Sequence, residues 1–366
     1  MTRQIIFLVL ATITAIGQTE SSSFEALSTK AEQAYEANNF DEAVQLYSQA
    51  VGIRSDWAEG WWALGMIAYE RDQYPQCRDA LIHMVRLDAS AAPGWALLGL
   101  CEFRTQQYDV SFEHLKKAHM MVPANQPGGP LMDMADFHLA MLLTRQGAFE
   151  VSQELFLSLA RRVHDNPNMI FAAGLPALRL AILPLEVPAV KRDVVQMAGK
   201  TFWDLAVREP QVAEDDFKAL IAKYPATPNV HYYYGTYLAS HHPDQCVREF
   251  LQELRISPDS VPARVQLVLR YIVDAKLALA SRYAREAVAL SPESVGAQLA
   301  LAETLRAEGK DSAALAAFLE AKRLDPVSPR IRLYLVNAYR ALGRIDDMRR
   351  EQSEYDRLKS EQQNWP

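Results

Sequence analysis

The densest gathering of chemistry-bearing side chains is His231, His241, His242 and Cys246. Imidazoles and a thiolate hold a metal only when their spacing lets them converge, and His-His-x3-Cys matches no zinc spacing. His241-His242-Pro243 reads instead as an exposed turn between helices. Lys191, Asp193, Lys200 and Asp204 could supply an acid, a base and a cation if folding brought them together. Helix periodicity alone accounts for them. The paired carboxylates Asp215-Asp216 and Asp346-Asp347 stand at helix starts, where the positive end of the backbone dipole favours them. No GxSxG, HExxH, phosphate loop or CxxCH occurs. The residues therefore predict no catalytic site, no metal and no cofactor.

Three cysteines, Cys77, Cys101 and Cys246, are too few and too odd in number for a disulfide framework. Cys77 and Cys101 fall in periodic helical stretches and read as buried thiols; a Cys77–Cys101 bridge, which needs an oxidising compartment, is the alternative. The start, "MTRQIIFLVLATITAIGQ", joins Arg3 to an uncharged run from Ile5 to Gly17. As a helix that run rises about 20 Å, short of a bilayer core of roughly 30 Å. With Ala15-Ile16-Gly17 as the cleavage site it reads as a signal peptide over residues 1–17, or else as an uncleaved signal anchor. Both predict export. A hydrophobic fraction of 49% with 23% charged residues describes a folded chain, and a net charge of −7 with no basic stripe predicts no nucleic-acid partner.

The elements that would position these groups announce themselves by repetition. "WWALGMIAYERDQY" (Trp61–Tyr74) returns as "WALLGLCEFRTQQY" (Trp95–Tyr108), 34 residues on. The same step links Ala31, Gly65 and Gly99, then Phe40, Tyr74 and Tyr108, then Ala50, Met84 and Ala118. Near the other end it links Ala280 to Ala314, Ala284 to Phe318, Ala287 to Ala321, and Pro258 to Pro292 and Pro326. Each unit splits into two apolar-periodic stretches with a turn between them, and a proline follows the second. That pattern is an antiparallel helix pair. One pair exposes an apolar side, so pairs must stack.

Trp61-x2-Leu64-Gly65 with Tyr69 and Tyr74, and Ala314-x3-Phe318-x2-Ala321 ending in Pro326, resemble the tetratricopeptide repeat (TPR), a 34-residue pattern. The resemblance covers most of Phe24 to Lys359. It implies an all-α superhelical solenoid of stacked helix pairs that binds a protein or extended peptide and performs no chemistry. It also implies that the first helix of each unit lines a concave groove at its second, fifth, ninth, twelfth and thirteenth positions. Carried onto this chain, groove positions fall on Trp62, Met66, Tyr69, Leu100, Phe103, Phe137, Met141 and Tyr232, while Trp61 and Trp95 belong to the core. Rings and methionines in a row offer contact area at little entropic cost. The Lys and Asn clamp that grips a C-terminal carboxyl in some relatives is missing, since its places hold Ser28, Glu32, Trp62, Met66, Ala96 and Leu100.

The expected organisation is a signal peptide at 1–17, a three-repeat block at 24–125, and an insertion with a fourth repeat at 126–165. An irregular helical segment at 166–208 follows, where Pro176, Pro184, Pro188, Gly174 and Gly199 break the phase. A second block spans 209–359 and a tail 360–366. The expected function is a scaffold of a bacterial cell envelope or periplasm, working through the groove of its N-terminal half. An oligomeric structural subunit is one alternative; an enzyme with a site in 166–208 is the other.

Overall fold

Proline, glycine and small polar residues punctuate the chain at a fixed interval, and the helices obey them. A computed structural model describes residues 22–123, 128–163, 166–207 and 210–361, so the expected signal peptide and the last residues of the tail lie outside the described part. Among the described residues there are nineteen α-helices and no strand. The chain divides into two units, Met1–Leu142 and Leu143–Pro366. The first holds α1 (22–36), α2 (Phe40–Ile53), α3 (Ala58–Glu70), α4 (Tyr74–Leu87), α5 (Ala92–Arg104), α6 (Tyr108–Met121) and most of α7 (Gly129–Arg145). The second holds α8 (Phe149–Arg162), α9 (Pro167–Ala177), a 3-10 turn (Pro184–Glu186), α10 (Ala189–Val207), α11 (Pro210–Lys223), α12 (Val230–His241), α13 (Pro243–Ile256), α14 (Val261–Val273), α15 (Leu277–Leu290), α16 (Val295–Ala307), α17 (Asp311–Leu324), α18 (Pro329–Ala341) and α19 (Ile345–Glu361).

Within each unit helices touch their neighbours in sequence, and alternate first helices also meet: α3 with α5, α12 with α14, α14 with α16. This is the all-α stack of antiparallel pairs that the repeat predicts. One column of small residues explains how pairs approach. Ala43, Cys77, Ser111, Ser152, Ala213, Cys246, Ala280 and Ala314 hold the same place in successive second helices, and none is more than 1% exposed. The polar members are satisfied locally: Ser111 Oγ donates to the Gly99 carbonyl at 2.7 Å, and Cys246 Sγ to the Pro243 carbonyl at 3.1 Å. Facing this column, a Cβ on Gly65 or Gly99 would come within 2.7 Å of Leu81 or Leu115. Between the helices of a pair the backbone turns left-handed at Asn38, Asp72, Gln106, Ala275, Gly309 and Gly343. Ser260, Ser294 and Ser328, 34 residues apart, cap α14, α16 and α18 by accepting a backbone N–H.

A second recurrent bond ties each pair to the turn before it. Trp61 and Trp95 donate their indole N–H to the carbonyls of Ser55 and Ala89, six residues back, at 2.9 and 3.0 Å. Gln298 and Arg332 donate in the same way to Pro292 and Pro326 at 2.9 and 2.7 Å. The two tryptophans are half-buried, with Trp61 stacked on His83 and Lys117 over Trp95.

Two features depart from expectation. Cys77 and Cys101 are not free thiols but form a disulfide, with Cα atoms 6.4 Å apart. Cys77 sits in the small-residue column of α4, and α5, which carries Cys101, packs directly on α4. Segment 166–208, expected to be broken, contains two regular helices. Asn166 caps α9 with its side chain, Pro176 falls only in its last turn, and α9 packs backbone against backbone on α10. A Cβ on Gly174 or Gly199 would collide with the carbonyl oxygen of Val195 or Ile170, so this glycine pair is what lets α9 and α10 approach so closely. With α9 set aside, α10 and α11 pair, and Ala213-x3-Phe217-x2-Leu220 ending in Pro225 keeps the phase of Ala314 to Pro326. Among the described residues no helix is long and apolar enough to cross a membrane.

Candidate functional site

Groove residues expected in the first unit are placed unevenly. Leu100 is 0% exposed and Met141 7%, so both are core side chains. Trp62, Met66, Tyr69, Phe103 and Phe137 are half-buried. The Tyr69 hydroxyl donates to Met134 Sδ at 3.7 Å, linking α3 to α7, and Phe103 meets His138 edge-on at 4.6 Å. His138 donates its Nδ1 proton to the Met134 carbonyl at 2.7 Å. Burial, helped by the Arg104 charge and opposed by that hydrogen bond, pushes its pKa down to about 4.

The polar groups that could have been catalytic pair with one another. His231 places Nδ1 2.7 Å from Glu249 and Nε2 3.1 Å from the Pro225 carbonyl. Both nitrogens face acceptors, so the imidazolium satisfies both; the bond to Glu249 holds its pKa above the ordinary value. His241 donates to the Tyr237 carbonyl at 2.9 Å, and His242 stands 3.3 Å from Glu214. Lys200 bridges Asp204 at 2.7 Å and Asp216 at 2.8 Å, while Asp193 pairs with Lys223 at 2.6 Å. Burial and the neighbouring Asp204 raise the Asp216 pKa against the pull of Lys200. Among the described residues, no group of three or more His, Cys, Asp and Glu is placed to hold a metal.

Open concave space lies in the second unit, between the first helices α12, α14, α16 and α18. A cavity of about 480 Å³ is lined by Val261, Pro262, Val265, Gln266 and Leu269 of α14 and by Val295, Gly296, Leu299, Ala300 and Glu303 of α16. Arg330 and Tyr334 of α18 and Tyr232 of α12 also line it, with Glu150 and Arg179. The floor is aliphatic and the rim is polar. Arg179 is held by Glu150 at 2.5 Å and lies over the Phe149 and Tyr232 rings, 4.7 and 5.4 Å from their centroids. Tyr232 is 7% exposed, and burial raises its pKa; its hydroxyl is hydrogen-bonded to Gln266. Glu303 is neutralised by Arg306 at 2.6 Å. Arg330 donates to the Tyr334 hydroxyl at 3.2 Å and has no carboxylate partner among the described residues. An apolar floor with a few directed polar groups is how peptide and small-ligand sites are generally built.

Tyr232 is the one expected groove residue that this cavity contains. The rest were within reach of the same positional rule. With the phase set by Ala280 and Ala314, second, fifth and ninth places are Pro262, Val265 and Leu269 in one repeat and Gly296, Leu299 and Glu303 in the next. Arg179 gave no sequence signal, because it enters from the turn after α9, outside the repeat.

Residues 266–329 match the tetratricopeptide repeat family. No curated protein matches the chain in sequence. Solved structures similar to it include YrrB, described as a TPR protein with an unusual peptide-binding site, at 14% identity and a TM-score of 0.38, covering 51% of this chain and 88% of that one. Yeast Tom70 is similar at 13% identity and a TM-score of 0.40, covering 93% of this chain and 77% of that one. The APC/C hetero-tetramer Cut9-Hcn1 is similar at 14% identity and a TM-score of 0.34, over 91% and 72%. Residues 266–329 are thus tetratricopeptide repeats, and one small-residue column keeps its place in paired helices from Ala43 to Ala314.

Proposed function

We propose that this protein is a non-catalytic scaffold that holds an extended segment of a protein partner in the concave pocket of its second unit. The observation that carries this reading is the cavity of about 480 Å³ formed by consecutive first helices, with Leu269 39% exposed on its wall. Apolar side chains left at the surface of a concavity gain by covering, and a peptide of a few residues fills such a volume. The half-buried rings of the first unit, Trp62, Tyr69, Phe103 and Phe137, are committed more to their neighbours than to a guest. We place the protein in an oxidising compartment. The Cys77–Cys101 disulfide supports this, since reducing cytosols keep such pairs as thiols, and the apolar leader at 1–17 agrees with it.

A photo-crosslinking residue at Leu299 should capture a discrete partner in extracts, and the same probe at Leu319, 38% exposed on α17, should not. Equal capture from both places, or none from Leu299, would remove the pocket from consideration.

A further inference from the structure

Every glycine of the second unit except one has a local reason to be glycine. Gly147, Gly309 and Gly343 have positive φ. Gly174, Gly199 and Gly235 stand so close to a neighbouring helix that a Cβ would collide with it. Gly296 is the exception. It lies in the first turn of α16, where glycine weakens a helix relative to alanine, yet an added Cβ would meet nothing nearer than Ser294 Oγ at 3.8 Å and Val265 Cγ2 at 4.0 Å. Gly296 also lines the cavity, together with Val265 and Arg330. A glycine that packing does not require, on a pocket wall, keeps room for something that approaches the backbone closely.

Charge around that space is unbalanced. Glu150 is neutralised by Arg179 and Glu303 by Arg306, which leaves Arg330, exposed at the rim and bonded among the described residues to the Tyr334 hydroxyl alone, as the charge there without a carboxylate partner. Resting on the pocket reading above, we propose that the occupant is an extended peptide segment in which apolar residues alternate with acidic ones. Its backbone passes over Gly296, its apolar side chains rest on Leu269 and Leu299, and a side-chain carboxylate meets Arg330. An extended chain points successive side chains to opposite faces, so alternation sends one set to the aliphatic floor and the other to the rim. A side-chain carboxylate is the group assigned here rather than a chain terminus, because the pocket's less exposed guanidinium, Arg179, is already neutralised by Glu150 and only the exposed rim retains free positive charge.

The test uses the full chain and three fluorescently labelled heptapeptides. One is acetylated and amidated and alternates Leu or Val with Glu; its counterpart carries Lys at the acidic places; a third carries Ser there and ends in a free carboxylate. The Glu peptide is expected to bind, the other two about tenfold more weakly or worse, the size of one lost charge-assisted contact. Arg330→Gln should cost the Glu peptide about tenfold and leave the Lys peptide unchanged. Gly296→Leu should abolish binding of the Glu peptide, and Gly296→Ala should melt no lower than wild type while binding it less well. Equal binding of Glu and Lys peptides, preference for the free terminus, or indifference to Arg330→Gln would overturn the acidic assignment while Gly296→Leu still reported a working pocket. Should none of the three peptides bind, the acidic assignment and the pocket reading fall together.

Discussion

His138 illustrates how a single side chain in this fold can carry a condition-dependent cost. Its ring lies against Phe103 and Phe137, and its folded pKa is pushed down to about 4 from an ordinary 6.5. A depressed pKa means that the folded state refuses a proton which the unfolded state accepts. The stability is therefore whole above the ordinary value and is lost as pH falls from there toward about 4. Thermal melts of wild type and His138→Gln across that range should converge as the solution is acidified, with wild type losing more. Parallel curves would show that the ring does not resist protonation. His231 works in the opposite sense. The bond to Glu249 raises its folded pKa, so its contribution is full below the ordinary value and lost as pH rises through the folded one.

At the scale of the helix, the turns between paired helices set the repeat, and they are occupied unequally well. Seven described turns place a residue at positive φ at the same phase, yet only Gly147, Gly309 and Gly343 among them are glycine. Ala275, at φ 56°, has no side chain that could bond the backbone in compensation. Ala275→Gly should stabilise the second unit by about 1 kcal/mol in urea unfolding, the order of the left-handed penalty for an L-residue. No change there would mean that the strain is relieved elsewhere. The contact of α9 with α10 lies at the other extreme. Gly174→Ala meets a backbone oxygen that cannot move aside, and a loss of about 3 kcal/mol is expected, the upper part of the usual overpacking range.

For the whole molecule, stacking makes stability nearly one-dimensional, since each helix contacts chiefly its sequence neighbours. The disulfide strengthens one of these neighbour contacts. It closes a 24-residue loop and staples α4 to α5 by a covalent bond, which chain-entropy arguments value at about 3 kcal/mol. Reduction should speed amide hydrogen exchange in α3 to α6 by an amount corresponding to that figure and leave α14 to α18 as they were. Uniform acceleration along the chain would mean that the units do not open independently. If reduction had no effect, the bridge would be strained enough to cancel its own benefit.

The sequence by itself determined the period, the pairing and most of the core. Small residues 34 apart, turn chemistry and prolines are local signals, and a repeat multiplies each of them until chance is excluded. It also carried, in the position rule, most of the pocket in the second unit. What only the tertiary structure decided rests on distances between segments that no local pattern encodes. These include the joining of Cys77 to Cys101, the packing of α9 on α10 through Gly174 and Gly199, and the contact of Tyr69 with Met134. Arg179 reaches its place from outside the repeat, and Gly296 lines the pocket where an added Cβ would collide with nothing. Periodicity says which face of a helix turns inward, but how far the next helix stands from that face depends on the sum of many side-chain volumes, and only the folded chain performs that sum.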